Sequence, residues 1–337
     1  MTNDNLLTTI LAEKEWILAD GAIGTNFFKR GLETGYPPEL WNVERPDDVL
    51  WLHNAFIAAG SDLILTNSFG GTSFRLKLHQ AEGRVAELNF AAAKLARQAA
   101  DASERTVLVA GSIGPTGELF NPLGALETDT AIAAFSEQAD ALAEGGADIL
   151  WIETMSSVEE VEAAIIAAKK TGLPVCATMT FDTAGRSMMG VLPADFAELA
   201  VENDLAGFGA NCGIGPSELM DSVVKFDAPH RELAVIAKGN CGIPAYVEGE
   251  IHYHGSPELM AEYALFARDA GASIIGGCCG TTPEHIKAMH DKLSTTPRAP
   301  FDSERLQSVL GKAWKDIPEA PASGEGRQRS RRRKRDS

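Results

Sequence analysis

The sequence is short of cysteine, has no long hydrophobic run and begins without the basic stretch of a signal peptide. Five cysteines in 337 residues are too few, and odd in number, for a disulfide framework, which favours metal binding or thiol chemistry. No apolar stretch approaches the roughly 18 residues that a membrane-spanning helix needs. Acidic residues also interrupt the apolar stretch near the start of the chain. These absences predict a cytoplasmic protein with no membrane partner.

Positive charge is scarce outside one short segment. The chain has 47 acidic and 30 basic residues, a net charge of −17. The last eleven residues, RQRSRRRKRDS, contribute +6, so the rest of the chain carries about −23. So acidic a body argues against nucleic acid as the main partner. The basic end follows a linker rich in Pro, Ala, Gly and Ser, and we expect residues 319–337 to form a disordered, solvated tail. Docking onto an acidic partner protein is the alternative.

The sequence also lacks the glycine motifs of nucleotide-binding sheets, since no GxGxxG or GxxxxGK[ST] follows a predicted strand. It contains instead eight short β-branched runs, separated by amphipathic segments with helical periodicity. The predicted strands are Trp16–Ala19, Leu63–Thr66, Val107–Ala110, Ile149–Ile152, Val175–Met179, Gly207–Ala210, Leu233–Ala237 and Ser273–Ile275. Eight such units predict an α/β fold with a single (β/α)8 TIM barrel in residues 1–295, followed by an extension over residues 296–318. A doubly wound open sheet is the alternative.

Two adjacent cysteines, Cys278 and Cys279, stand in the glycine-rich stretch GGCCG that follows the eighth predicted strand. Cys212 follows the sixth strand, and the carboxyl ends of barrel strands meet at one mouth, where active sites are built. Glycines could let both adjacent sulfurs face the same side. Three sulfurs suit zinc and leave its fourth position open, as in catalytic sites. The alternatives are a disulfide between the adjacent pair, inert buried cysteines, or a structural zinc with a fourth protein ligand.

The remaining cysteines and histidines are weaker candidates for this site. Cys176 lies inside a predicted strand, which favours core packing. Cys241 lies at the predicted mouth and could line the site. His252 and His254 have HxH spacing, but a lone HxH is a weak metal signal, and we interpret this segment as a loop.

Six motifs, in this order and spacing, resemble the homocysteine S-methyltransferase family over roughly Trp16 to Leu293. The motifs are ADGAIGTN, TNSFG, GSIGPTG, ETM, GANCGIGP and GGCCGTTP. The family includes the betaine–homocysteine and S-methylmethionine–homocysteine enzymes and the homocysteine module of cobalamin-dependent methionine synthase, and its fold is a zinc-containing (β/α)8 barrel. The resemblance implies that Cys212, Cys278 and Cys279 are catalytic zinc ligands. It also implies that Asp20, Gly21 and Glu153 bind the amino-acid end of homocysteine.

The reaction that this resemblance implies is methyl transfer to a zinc-bound homocysteine thiolate, which yields methionine. A free thiol titrates near pH 8.5, and coordination to zinc removes its proton. Asp20 and Glu153 would pair with the substrate ammonium group, although an ordinary salt bridge is the alternative for Glu153. Another thiol acceptor, or a non-catalytic zinc module that docks a partner through the basic tail, are the competing interpretations.

The methyl donor stays open at this stage. Betaine is normally held in an aromatic cage, and two positions that carry cage tyrosines in the animal betaine enzymes are Gly70 and Thr154 here. Trp41 is the candidate for the remaining cage aromatic. The motifs TNSFG and ETM look more like the methionine-synthase module, whose donor is methylcobalamin, while other segments resemble bacterial betaine enzymes. A corrinoid donor would arrive on a separate protein, and S-methylmethionine is the third possibility.

Overall fold

The protein is described by a computed structural model that covers residues 6–226, 233–242, 244–247 and 250–315. The predicted tail of residues 319–337 lies outside these residues. No helix within the described part of the chain has the length and apolar character needed to cross a membrane.

Eight parallel strands form the centre of the molecule. They are β1 (Ile17–Leu18), β2 (Leu63–Leu65), β3 (Leu108–Ile113), β4 (Ile149–Met155), β5 (Val175–Met179), β6 (Gly207–Cys212), β7 (Ala234–Gly239) and, after two strands of a separate hairpin, β10 (Ile274–Gly277). Each strand pairs with its neighbours in the order β1-β10-β7-β6-β5-β4-β3-β2. A parallel bridge between Ala19 and Leu63 brings the first strand beside the second. The sheet therefore closes on itself, which confirms the predicted (β/α)8 barrel and excludes the open sheet.

Thirteen α-helices lie within the described residues, most of them around this barrel. They are α1 (Leu6–Glu13), α2 (Gly24–Phe28), α3 (Trp41–Glu44), α4 (Pro46–Ala59), α5 (Ser73–Lys77), α6 (Val85–Asp101), α7 (Thr128–Glu144), α8 (Val158–Lys169), α9 (Pro193–Glu202), α10 (Pro216–Val223), α11 (Pro257–Asp269), α12 (Pro283–Thr295) and α13 (Ser303–Leu310). Five of them begin with proline, whose fixed φ suits the first helical turn and whose missing N–H costs nothing there. Short 3-10 turns occur at Pro38–Leu40 and Glu82–Arg84.

The apolar side chains form two layers, one inside the barrel and one between the strands and the helices. The inner layer contains inward-facing strand residues, and α1 adds Leu7 and Ile10 to it. Cys176 is fully buried in this layer, which confirms its predicted packing role. The barrel interior is thus a packed core, and the space for a ligand lies above it, at the carboxyl ends of the strands.

The segment between β7 and α11 corrects one interpretation. It forms an antiparallel hairpin of β8 (Pro244–Val247) and β9 (Glu250–Tyr253), in which Ala245 pairs with His252. His252 is therefore in a strand and not in a loop, whereas His254 follows the strand. The two halves of the segment contain β-branched and aromatic residues on either side of a two-residue connection, which favours a hairpin. The interpretation as a loop considered only the HxH spacing and not this strand pattern.

Residues after the barrel are attached to it by a buried arginine and by the packing of a helix. Arg268, near the end of α11, donates hydrogen bonds to the carbonyl oxygens of Thr296 and Pro297 and pairs with Asp269 at 2.8 Å. Helix α13 then packs against α10 and α11. The described part of the predicted extension therefore lies on the outer surface of the barrel.

One buried histidine in α4 makes stability depend on pH. His53 is almost fully buried, and neither ring nitrogen has a hydrogen-bond partner within the described residues. Burial lowers the pKa of His53 to about 4. Because the unfolded chain takes up the proton first as the pH falls, the stability that neutral His53 contributes is present above pH 6.5 and lost towards pH 4.

We therefore expect His53→Leu to unfold with a flatter pH profile than the wild type. Between pH 7 and pH 4, the free energy of unfolding of the wild type should fall by about 3 kcal/mol more than that of the variant. Urea unfolding at several pH values measures this difference. Parallel profiles for the two proteins would show that His53 does not titrate as proposed.

Candidate functional site

A cavity of about 610 Å³ opens at the carboxyl ends of the barrel strands. Its inner end is lined by the three cysteines Cys212, Cys278 and Cys279, together with Glu153 and Lys238. Its outer end is lined by aromatic and charged side chains from the loops after β1 and β2, namely Phe28, Tyr36, Glu39, Phe69 and Arg75. This cavity thus lies where the sequence predicted an active site.

The alignment of three neighbouring strands brings the cysteines together. Gly239, the last residue of β7, pairs with Cys212 at the end of β6 and with Gly277 at the end of β10. Cys278 follows immediately, and its N–H donates to the carbonyl oxygen of Gly239 at 2.7 Å. The sulfur atoms of the three cysteines all lie within 4.8 Å of one another. Residues separated by more than 60 positions therefore form one cluster of three sulfurs.

A tight turn presents both adjacent cysteines to this cluster. The N–H of Thr281 donates to the carbonyl oxygen of Cys278 at 3.1 Å, and Gly280 has a φ of +79°. A side chain at Gly280 would meet the ring of Tyr253. The side chain of Asn240 accepts a hydrogen bond from the N–H of Cys279 at 3.0 Å. Position 280 requires glycine because its φ is positive and because a side chain there would have no room.

The chemistry of the three sulfurs fits a metal ion. All five cysteines are free thiols in this structure. The pKa of Cys278 lies well above its usual range, because its hydrogen bond to Cys212, and also burial, favour the protonated thiol. Three thiolates this close would repel one another unless a cation bound them, and soft sulfur ligands suit zinc. Among the described His, Cys, Asp and Glu residues the cluster has three members, which leaves a tetrahedral ion one position for another ligand.

Asn211 links the ends of β4 and β6 beside the cluster, where the backbone has an uncommon conformation. Thr154 and Cys212 both have positive φ, of 65° and 62°. The buried Asn211 side chain accepts hydrogen bonds from the N–H of Thr154 and the hydroxyl of Thr178, and it donates to the hydroxyl oxygen of Thr154. Positive φ costs a β-branched residue free energy, so these contacts keep the loop in place. Asn211 was quoted in a sequence motif, but its role was not predicted.

The predicted substrate residues occupy different positions relative to the cavity. Glu153 lines it, is 8% exposed and accepts a hydrogen bond from the Ser112 hydroxyl at 2.5 Å. Burial raises the pKa of Glu153, and the nearby Lys238 ammonium opposes this shift. Gly21 also lines the cavity, and a Cβ there would lie 2.6 Å from the carbonyl oxygen of Thr281. Gly21 therefore lets the wall of the cavity close against the turn after β10.

Asp20 lies behind the wall of the cavity. It is fully buried and is not among the lining residues. One carboxylate oxygen pairs with the Lys238 ammonium at 2.8 Å, and the other accepts the N–H of Leu65 at 2.8 Å. Burial raises the pKa of Asp20, and Lys238 opposes this effect. Of the two residues in this ion pair, Lys238 is the one that lines the cavity. Sequence reasoning missed Lys238, although a lysine directly after the apolar run of a barrel strand was a usable signal.

Two further candidates lie outside the cavity. Cys241 is buried, and its thiol donates to the carbonyl oxygen of Gly255 at 3.0 Å, so it does not line the site. Trp41 is also buried: its ring packs on Phe27, and the Arg45 guanidinium lies 4.1 Å above it. Trp41 is therefore not among the aromatic rings that line the cavity.

The absence of a tyrosine at position 70 has a local cause. The N–H of Gly70 donates to Glu39 Oε1 at 2.6 Å, and a Cβ on Gly70 would lie 2.9 Å from the same oxygen. Glu39 thus occupies the space that a side chain at position 70 would need. The aromatic rings that do line the outer end are Phe28, Tyr36 and Phe69.

The role of Asn211 can be tested by removing its side chain. Asn211→Ala should lower the free energy of unfolding by about 2–3 kcal/mol, because buried partners on Thr154 and Thr178 lose their hydrogen bonds. Asn203→Ala is the matched control, since the Asn203 side chain donates one part-buried hydrogen bond within its own helix. Urea unfolding compares the two. Equal losses would contradict a special role for Asn211.

Comparisons with known proteins agree with this geometry. Residues 17–293 match the model of the family described as homocysteine S-methyltransferase. The methionine synthases of Mycobacterium tuberculosis and Mycobacterium leprae are 31% and 30% identical to the chain over 85% of its length, and the chain spans 25% of each. The metallated homocysteine methyltransferase MmuM of Escherichia coli has the same fold, with a TM-score of 0.71, 24% identity, and coverage of 86% of this chain and 100% of that one. The chain therefore belongs to the homocysteine S-methyltransferase family.

Proposed function

We propose that this chain transfers a methyl group to the thiolate of homocysteine and releases methionine, with a zinc ion held by Cys212, Cys278 and Cys279. The observation that carries the proposal is the cluster of three sulfurs within 4.8 Å of one another on the wall of a cavity that also contains Glu153. Membership of the family and the methionine synthase relatives support it. The free thiols suit a reducing compartment, so we also infer a cytoplasmic location.

Each end of the acceptor has a matching set of groups in the cavity. Zinc, when bound, would supply a Lewis acid that keeps the acceptor sulfur deprotonated near neutral pH. Glu153 lies at the same inner end and offers a carboxylate to the substrate ammonium group, with Ser112 holding its other side. Gly21 allows the cavity wall to approach the amino-acid end. These groups orient the acceptor so that its sulfur faces the outer end of the cavity, from which a donor would approach.

Two donors stay open, and different observations favour each. The rings of Phe28, Tyr36 and Phe69, with the buried carboxylate of Glu39, suit a small cationic donor such as betaine. The similarity to methionine synthases favours methylcobalamin, and the chain spans 25% of the length of each of those relatives. S-methylmethionine is the third candidate, because a sulfonium is also a cation.

A donor panel tests the function. The purified, zinc-loaded protein should form methionine from homocysteine with at least one of betaine, S-methylmethionine and methylcobalamin, the last with and without a corrinoid protein. Methionine is quantified by mass spectrometry with an isotope-labelled methyl group. Turnover with betaine alone would identify a small-molecule enzyme. If folded, zinc-loaded protein gave no methionine with any of them, the proposed reaction would be wrong.

The proposed metal ligands are tested by Cys279→Ala. We expect the variant to lose most of its bound zinc and its activity but to keep the barrel fold, because Cys279 lies in the turn after β10, outside the packed core. Cys241→Ala is the matched control, since Cys241 is close by but lies outside the cluster. Zinc per chain is measured by elemental analysis and folding by circular dichroism. A Cys279→Ala variant with full zinc content would refute the assignment.

A further inference from the structure

Lys238 is a buried cation at the inner end of the cavity, and the proposed reaction does not yet use it. Its side chain is 2% exposed, yet it is one of the residues that line the cavity. The ammonium group lies 2.8 Å from Asp20 Oδ1 and 6.0 Å from the centre of the Trp151 ring. A buried ion pair is costly to desolvate and gives weak evidence for a purely stabilising role. Its position on the cavity wall therefore calls for another explanation.

The charges along the cavity divide into two groups. At the outer end, Arg75 lies near the carboxylate of Glu39. At the inner end, Lys238 lies near Glu153 and Cys278. Among the described lining residues, Lys238 is thus the lysine or arginine nearest to the sulfur cluster. Any anionic group that enters the inner end meets this ammonium.

The chemistry of the acceptor supplies such an anion. An amino-acid thiol carries its ammonium and carboxylate on one carbon, so both reach the protein side by side. With the thiol at the cysteine cluster, Glu153 can accept from the ammonium, but the carboxylate needs a positive partner beside it. Bound as a thiolate, the acceptor would also bring a net negative charge into a cavity that already holds Glu153.

We propose that Lys238 binds the α-carboxylate of the acceptor and that Asp20 positions the Lys238 ammonium for this contact. The second oxygen of Asp20 is held by the N–H of Leu65, so the carboxylate cannot turn away from Lys238 without losing that bond. This inference rests on the proposed function, and it makes Lys238 and Glu153 a matched pair that selects amino acids over simple thiols. Asp20 acts through Lys238 rather than on the substrate.

The test compares homocysteine with two analogues that each lack one charged group. The first, 3-aminopropane-1-thiol, lacks the carboxylate, and the second, 4-sulfanylbutanoate, lacks the amino group. Binding to zinc-loaded protein is measured by calorimetry without any donor, so the result does not depend on the donor's identity. Lys238→Met should bind homocysteine about 10- to 100-fold more weakly than the wild type does. It should bind 3-aminopropane-1-thiol with an affinity within about threefold of the wild type's.

Glu153→Gln is the matched control. It should weaken homocysteine binding but leave 4-sulfanylbutanoate nearly unchanged, which is the reverse selectivity. If Lys238→Met weakened homocysteine and 3-aminopropane-1-thiol by the same factor, or changed neither, Lys238 would have only a structural role and the inference would be overturned.

A second variant distinguishes a loss of binding from misfolding of the protein. Lys238→Met alone leaves the buried Asp20 without its partner, whereas the double variant Asp20→Asn/Lys238→Met removes both charges at similar volume. The double variant should show the same loss of discrimination against 3-aminopropane-1-thiol, and retained discrimination would overturn the inference. Failure of the proposed function is distinguishable, because the wild type would then not bind homocysteine at all.

Discussion

The hydrogen-bond register of β6, β7 and β10 is the constraint on which the site depends. Gly239 pairs with the last residue of one neighbour and with the last residue of the other, so the chain leaves both strands at the same height. Cys212 is that last residue on one side, and Cys278 is the next residue on the other. A shift of one residue in either ladder would turn a sulfur towards the opposite face of the sheet. The geometry of the cluster is therefore set by backbone pairing at the carboxyl ends of these three strands.

Three buried charged side chains lie together at the inner end of the site. Asp20, Glu153 and Lys238 are all nearly excluded from water, and burial alone would favour the uncharged form of each. The opposite charges lie close enough to offset part of that penalty. Such a cluster costs free energy in the empty protein but needs little rearrangement when a zwitterionic ligand arrives. The buried charges therefore lower the stability of the empty protein and keep the site arranged for its ligand.

The sequence was a good guide to the barrel and a partial guide to the site. The eight strands could be predicted because each is a short apolar run, and the three cysteines because strand ends converge in a barrel. The carboxyl-terminal ends of β3, β4, β6, β7 and β10 extend beyond the predicted limits, since polar residues and glycines there are held by pairing with neighbours. Periodicity carries no information about such tertiary pairing. The hairpin around His252 is a different case, because its β-branched and aromatic residues did indicate strands.

Roles that depend on side-chain direction were harder to predict. The family resemblance implied that Asp20 contacts the substrate, but its carboxylate pairs with Lys238 and accepts the N–H of Leu65. Trp41 packs under Arg45 instead of facing the cavity. The deciding contacts of Asp20 come from residues distant in sequence, which a single sequence does not show. Those of Trp41 come from nearby residues, but they depend on how this segment folds.

The most direct test of this account is X-ray absorption at the zinc edge of the loaded enzyme, with and without homocysteine. The account predicts three sulfur neighbours at about 2.3 Å and one lighter atom in the free enzyme, and four sulfur neighbours after homocysteine is added. Fewer than three sulfurs in the free enzyme, or no new sulfur on adding homocysteine, would contradict it.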